Sequence, residues 1–438
     1  MMSKLVLGMV GFGVVGSSVL KAILANGEII NARAGKQIVL KSIVVRDKKK
    51  AEKKLAELNV IDTNANITLS TNVDDILQDS EIDVVIELMG GVEFAYTIAQ
   101  RALKAKKAFI TANKAMLAYH RSDIAPLANG LPVGFEASVC GGIPIIRVLK
   151  DGLSANHILG IRGILNGTSN YILTQMQQFG KNFATALKEA QNLGYAEADP
   201  SLDINGGDAG HKLLILASLA YGIHAMPEDI LIEGIADITP DDMEFANEFG
   251  YVIKLLGIAK KQDDEVELRV HPSMIKKESM ISKVDGVMNG ISVIGDYVGE
   301  SMYYGAGAGG EATASSVISD IVAIARGESA AMLGFSRPLE EGKLRLKDKE
   351  KIHSRYYIRL YVRDKPGVLG EVAQILGRHN ISIGAFLQKE TDEKNIATML
   401  FSTHHCYERE INHALCELEQ IDSITQKPFK MRLEDEYE

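Results

Sequence analysis

The sequence predicts an α/β protein with a doubly wound parallel sheet at its N-terminal end. An α+β domain and a small β-α-β-β-α-β module follow. Three observations predict this. Apolar runs of strand length alternate with helical patterns through the first 134 residues, the alternation breaks near residue 140, and a new strand–helix order begins near residue 354. Alternating strands and helices imply parallel strands joined by crossovers. A chain of 438 residues is also too long for one ordinary domain. We divide it into 1–134, 135–327, a charged linker 328–353, and 354–435. The last helix of the second domain is expected to return to the first.

KLVLGMV at 4–10 reads as a buried strand, GFGVVG as a turn, and SSVLKAIL as a helix. QIVLKSIVV reads as the next strand, ending at Val45, and an apolar run spans 82–90. A helix near 93–105, a strand at 108–113 and a further strand near 131–139 complete the first domain. In the second domain GIPIIRVLKDGL reads as a helix and HILGIRGILNGT as a strand ending in a polar turn. Helical patterns follow at 183–193 and 208–221, then short strands mixed with Gly and Asn turns over 250–304. Residues 305–327 read as a glycine turn opening a helix, and 328–353 as charged and irregular. The tail reads as a strand (356–364), turn and helix (365–380), a strand pair, a helix near 408–420 and a final strand. That order is the ferredoxin-like arrangement. A tail behind a linker should be removable after about residue 350, leaving a folded core.

Composition excludes several function classes. A net charge of -9 argues against a nucleic-acid partner, and Lys48, Lys49 and Lys50 form only a short exposed cluster. Three cysteines without a Cys-x-x-Cys argue against a disulfide framework or a cysteine zinc site. A reducing compartment, the cytoplasm, fits best. No apolar run reaches the roughly 18 residues of a membrane span. The longest, Leu213–Ile223, is broken by Ser218 and Gly222. Lys4 and the apolar stretch after it faintly resemble a secretion signal, but the glycines fit a turn better. Neither G-x-S-x-G nor H-E-x-x-H is present, which removes several hydrolase readings.

GFGVVG supplies Gly11, Gly13 and Gly16 between a strand and a helix. Gly11 allows a tight turn, Gly13 close approach of a ligand, and Gly16 close packing of helix on strand. With Phe12, Val14 and Val15 they form a candidate dinucleotide site of the Rossmann type, the pyrophosphate resting on the helix N-terminus. The alternative is a plain glycine-rich turn. At the end of the second strand, Arg46 suits the 2′-phosphate of NADP, while an acid such as Asp47 suits the ribose of NAD. The reading prefers NADP with NAD use open; a solvated ion pair is the alternative.

The second domain carries LGYAEADPSLDINGGDAGHKLLILA at 193–217. Asp208 and Lys212 are four apart and share one face of a helix. A lysine held by an aspartate can give a proton to an alkoxide forming from an aldehyde. Glu197 is placed to bind a substrate ammonium, and His211 points roughly 100° away from Lys212 on a helix. The alternative is a surface ion pair worth about 0.3–0.5 kcal/mol.

On the segments GFGVVG, TANKAMLA, GFEASVCGGIPII, GILNGTSNYIL, LGYAEADPSLDINGGDAGHK and GAGAGGEATASS, the first 325 residues or so resemble the homoserine dehydrogenase family. The resemblance implies reversible, NAD(P)-dependent interconversion of L-homoserine and L-aspartate 4-semialdehyde, in threonine, methionine and isoleucine biosynthesis. It makes Lys212 the acid/base lysine, Asp208 its partner, Glu197 the ligand of the substrate amino group and Asp203 a second substrate-site carboxylate. It also places Lys114 between nicotinamide and substrate, and Gly307 against the cofactor. The alternative for Lys114 is a surface lysine at a strand end. The turn 136–143 resembles the family's monovalent-cation loop, with backbone carbonyls of Glu136, Val139, Gly141 and Ile143 around sodium. Its alternative is a plain connection, in which Cys140 is a small filler. The chain departs from the family at Ala306 and Ala312, where proline is frequent. Another semialdehyde or amino-acid dehydrogenase, and a non-catalytic nucleotide sensor, are the competing readings.

RLYVRDKPGVLGEVAQIL resembles the ACT domain, a ligand-binding module common on amino-acid enzymes. Asp364, Lys365, Pro366, Gly367, Val368 and Leu369 match its strand-to-helix turn. The resemblance implies an amino-acid effector such as L-threonine there, with residues like Asn380 from a neighbouring copy, in a homodimer or homotetramer. A purely dimerising module is the alternative.

Overall fold

The computed structural model describes residues 3–58, 67–328, 330–337, 344–390 and 395–435. The chain forms two compact units. One holds 1–158, 211–227 and 294–343; the other holds 159–210, 228–293 and 344–438.

The first unit is built on strands β1 (Lys4–Val10), β2 (Gln37–Val44), β3 (Thr68–Ser70), β4 (Val84–Glu87), β5 (Ala108–Thr111) and β6 (Val133–Gly134). Their order is β3-β2-β1-β4-β5-β6, and every pairing is parallel. Leu7, Met9, Val84, Val85, Ile86, Phe109 and Ile110 are all buried, as expected of a sheet covered on both faces. The strand order reverses between β1 and β4, which opens a crevice at their carboxyl ends. The helix Gly310–Ala325 supplies Ala314, Val317, Ile321 and Ala325 to the same core as Val19 and Leu20 of the helix Val14–Ala25. A Cβ at Gly310 would lie 2.5 Å from the Ser18 hydroxyl, so glycine lets these two helices touch.

Two expected elements of this unit differ. The strand expected near 131–139 stops at Gly134 and gives way to a 3₁₀ turn over Glu136–Ser138. Beyond Gly134, Glu136 N–H donates to the Asp320 carboxylate at 3.0 Å instead of to a neighbouring strand. The helix expected over GIPIIRVLKDGL starts only at Ile145 and widens to i→i+5 bonding, Leu153 N–H to Val148 C=O. The helix Lys48–Glu57 was not legible, because of its residues only Ala51 is buried and no apolar stripe marks it.

The second unit centres on a long hairpin, Tyr251–Gln262 with Glu265–Lys276, in register from Gln262↔Glu265 to Tyr251↔Lys276. The sequence suggested short strands here. Ile253–Ala259 and Val266–Ile275 are buried on both faces, so no alternation marks them, and Pro272 lies mid-strand opposite Leu255. The tail module has the expected β-α-β-β-α-β order, with His353–Arg363 between Ile396–Thr403 and Phe429–Glu434. Tyr356, Ile358, Leu360, Val372, Ile375, Ile411 and Leu418 form its core.

The module's sheet is continuous with the hairpin: Phe429–Glu434 pairs parallel with Glu265–Lys276, Arg432 opposite Ser273. Within the stretch read as an irregular linker, Arg345–Leu346 pairs with Glu265–Val266, while 338–343 lie outside the described residues. Two buried arginines fasten this seam. Arg432 bonds Glu233 at 2.6 and 3.1 Å and Glu408 at 2.6 and 3.0 Å. Arg359 bonds Asp242, the Thr239 hydroxyl at 2.5 Å and the Asp237 carbonyl at 3.1 Å.

Candidate active site

In the first unit, each motif glycine has a separate physical reason. Gly11 has φ +101, and a Cβ there would lie 2.5 Å from the Leu88 carbonyl oxygen. A Cβ on Gly16 would lie 2.6 Å from the Gly11 carbonyl oxygen, so the helix could not approach the strand end. Nothing lies within 4 Å of where a Cβ on Gly13 would stand. That empty side, at the start of a helix with no side-chain cap, leaves backbone N–H groups free to meet a phosphate. Val14 is 69% exposed, Val15 is partly buried, and the Phe12 side chain belongs to the core, so Phe12 offers only backbone to a ligand.

Arg46 is exposed just beyond β2. Asp47 caps the helix Lys48–Glu57 by accepting from Lys50 N–H at 3.0 Å, which gives it a structural task of its own. Lys54 Nζ donates to the Phe12 carbonyl at 3.4 Å, a cation on the glycine turn that the sequence did not reveal.

Lys114 is not at a strand end but opens the helix Lys114–Ala128. Asn113 caps that helix through Met116 N–H and donates to the Gly91 carbonyl at 2.6 Å. Behind it, buried Glu87 accepts from the Thr111 hydroxyl at 2.6 Å and Met89 N–H at 2.7 Å. Desolvation holds the Glu87 carboxyl above its ordinary range, partly offset by those bonds.

The turn 136–143 is buried at Glu136, Val139, Cys140 and Ile143, with Cys140 at φ +51. The Glu136 side chain accepts from Ile146 N–H at 2.8 Å and Arg147 N–H at 2.9 Å, and burial pushes its carboxyl up to about 7. The Gly141 carbonyl accepts from the Ser316 hydroxyl, and the Ile143 carbonyl from Ile145 N–H. A carbonyl oxygen has two lone pairs, so each keeps one for a cation. Among the described residues no group of three or more His, Cys, Asp or Glu could hold a metal, so a site here would be made of neutral carbonyls. Gly142 N–H donates to the Ala306 carbonyl at 2.9 Å, and a Cβ on Gly141 would lie 3.1 Å from the Gly307 oxygen, which brings Gly307 onto this turn.

In the second unit, Asn166 ends the strand Ile158–Ile164 and caps the helix Gly167–Phe179 through Ser169 N–H. Its amide donates to Asp203 at 2.7 Å and Asp208 at 2.8 Å. The Ser169 hydroxyl donates to the Asp203 carbonyl at 2.8 Å. Asn166 therefore joins two of the predicted carboxylates. Its signal was present in ILNGT, an asparagine between a strand and a helix, but nothing there announced a role beyond capping. Glu197 is exposed on the loop before Ser201–Ile204, and its own carbonyl accepts from Gln191 at 3.2 Å.

Asp208 and Lys212 both lie on the helix Gly207–Tyr221, one turn apart, and both are buried, 2% and 7% exposed. Burial rules out the surface ion pair. Burying a lysine this deeply is costly unless it is paired or serves chemistry.

A doubly wound parallel sheet with an open glycine turn is the architecture of a dinucleotide-binding oxidoreductase domain. Residues 11–131 match the family model described as homoserine dehydrogenase, NAD binding domain, residues 144–322 the homoserine dehydrogenase model, and residues 356–423 the ACT domain model. The chain is 58% identical to a homoserine dehydrogenase of Helicobacter pylori, over 99% of this chain and all of that one. It is 40% identical to one from Pseudomonas aeruginosa over 99% of both. Among solved structures, a homoserine dehydrogenase from Thiobacillus denitrificans superposes with a TM-score of 0.90 at 41% identity, over 99% of both chains. A hyperthermophilic archaeal homoserine dehydrogenase, in complex with NADPH, superposes at 0.61 and 26% identity over 78% of this chain and all of that one. The chain belongs to the homoserine dehydrogenase family. Among the described residues no helix is long and apolar enough to cross a membrane.

Proposed function

We propose that Lys212 is the acid/base group of the homoserine dehydrogenase reaction; its burial one helical turn from the buried Asp208 carries this reading. When bound, the nicotinamide would supply the hydride chemistry, as acceptor from the homoserine carbinol carbon or as donor to the semialdehyde. In the reducing direction, Lys212 stabilises the alkoxide and gives it a proton; in the oxidising direction it removes the hydroxyl proton. Asp208 orients Lys212, and Asn166 fixes Asp208. Glu197 and Asp203 bind the substrate, Glu197 through its ammonium. Lys114 adds positive charge beside the reacting oxygen.

The backbone of Gly11, Phe12, Gly13, Val14, Val15 and Gly16 cradles the pyrophosphate, with Gly307 against the cofactor. Arg46 meets the 2′-phosphate, making NADP preferred over NAD. The carbonyls of Glu136, Val139, Gly141 and Ile143 would hold sodium, a hard cation suited to oxygen ligands. The enzyme acts in the cytoplasm, in threonine, methionine and isoleucine biosynthesis, as a homodimer or homotetramer. L-Threonine is the first effector to test at the C-terminal module.

The test follows reduced nicotinamide at about 340 nm with L-homoserine. Lys212→Ala is expected to cut kcat by roughly 10²–10⁴. Lys212→Arg should rescue little, since arginine keeps the charge but releases no proton near neutral pH. Near-normal kcat in Lys212→Arg would pass the role to Lys114 or a water.

A further inference from the structure

In the second unit, the backbone carrying Asp203 and Asp208 rests directly on the segment Ile232–Ile235. Ile235 N–H donates to the Ile204 carbonyl at 2.9 Å. A Cβ on Gly234 would lie 2.5 Å from the Ile204 oxygen and 2.7 Å from the Asn205 Cα. On the other side, Cβ atoms on Gly206 and Gly210 would lie 3.1 and 2.7 Å from the Ile232 side chain. Gly234 thus lets the two backbones touch, and Gly206 and Gly210 make room for the Ile232 side chain. A shift of one segment must move the other, because nothing compressible lies between them.

Glu233 stands in the middle of this strap. Its N–H is tied to the Val270 carbonyl at 2.8 Å, and its carboxylate is held by both terminal nitrogens of Arg432. A fork-on-fork pair fixes direction as well as distance. Arg432 is fully buried and is held from behind by Glu408 of the same C-terminal module. Asp203 immediately precedes Ile204, where the strap is bonded.

We infer that Glu233 is a positioning residue for the substrate site: Arg432 of the C-terminal module fixes Glu233, and Gly234 and Ile235 pass that position to the backbone bearing Asp203 and Asp208. The inference rests on the reading of Asp203 and Asp208 as substrate-side carboxylates. It makes the module part of the homoserine-binding machinery and gives whatever the module senses a short mechanical route to that site. Arg269 makes a second buried seam, joining Glu267 of the hairpin to Glu434 of the module, and its side chain does not engage the strap. That seam supplies the control.

The experiment is steady-state kinetics on the full chain, with homoserine and cofactor varied separately, alongside thermal melting. Glu233→Gln keeps the shape and loses the charge. It should raise the homoserine KM about tenfold and leave the cofactor KM unchanged, since displacements on the order of 1 Å in a positioned group can cost up to about 100-fold. Gly234→Ala should act in the same direction and provides the reading if Glu233→Gln does not fold. Glu434→Gln should lower the melting temperature without changing the homoserine KM. An unchanged homoserine KM in folded Glu233→Gln or Gly234→Ala overturns the inference, as does an equal rise in Glu434→Gln. Asp203→Asn and Asp208→Asn in the same assay separate the two levels. If both leave homoserine kinetics intact, the site reading falls and the inference with it. If they impair the reaction while the strap variants do not, only the strap is wrong.

Discussion

The glycine turn of the first unit and the arginine seam of the second place polar groups in opposite ways. The turn strips away side chains and leaves backbone N–H groups facing open space at Gly13. The seam buries whole charges, Arg359, Arg432, Asp242 and Glu408, and pairs them with one another. A polar group left open at no steric cost is prepared for a ligand. A charge turned inward and paired holds a fold together and transmits position, because moving one partner strands the other.

Removing residues after about 350 tests this contrast most severely. The sequence suggested a dispensable tail, but its loss would leave Glu233 and Asp242 without Arg432 and Arg359 and strip a strand from the hairpin sheet. Breaking one buried pair costs about 3–5 kcal/mol, against a typical total of about 5–15 kcal/mol. The truncated chain should therefore fail to fold its second unit, seen as lost protease resistance over 159–293. A soluble, cooperatively melting truncation would show that the seam is ornamental.

The glycine turn is sharpened by two matched variants. Gly11→Ala should destabilise the first unit by about 1–3 kcal/mol through its strained φ alone, with a further loss from the clash at Leu88. Gly13→Ala should melt normally, since its Cβ meets only open space, yet bind cofactor more weakly by roughly tenfold, about 1.4 kcal/mol. Equal melting losses in both would contradict the division of labour. Arg46→Ala is the next smaller effect: NADP should weaken more than NAD, measured as the ratio of the two KM values. An equal loss for both would remove Arg46 from the 2′-phosphate.

Acid provides the gentlest probe. Arg432 and Lys430 outweigh the burial of Glu408 and hold its carboxyl down to about 2, below its ordinary 4.5. A depressed carboxylate contributes stability that is present above about 4.5 and is lost as pH falls toward 2. Glu87 in the first unit is shifted the other way by burial, so its cost grows as pH rises above the ordinary carboxylate range. Hydrogen exchange between pH 5 and 3 should open strand Phe429–Glu434 before β4. The reverse order would mean that the Glu408 cluster does not govern the seam.

Much of the first unit was legible because parallel buried strands and a glycine turn leave strong local signals. Gly11 and Gly16 were each assigned a steric reason that agrees with the space around them, and Gly13 borders open space. The second unit was harder to read. Its hairpin is buried on both faces, so periodicity vanished, and Pro272 lies mid-strand opposite Leu255. The partners that define the site and seam lie far apart in sequence, Asn166 with Asp203 and Asp208, Arg359 with Asp242. A single sequence carries no signal for such pairs. Lys54 was hidden for the same reason: only the fold brings it to Phe12.

The pairing of Arg432 with Glu233 also sets a schedule. The two residues are 199 positions apart. A ribosome adding about 5–20 residues per second needs roughly 10–40 s to travel that distance. During that interval Glu233 and the strap beside it are already made, but their buried cation is not. Long-range contacts of this kind form late. The nascent chain must wait with a half-built sheet edge exposed, and that edge is where a holding chaperone would find it.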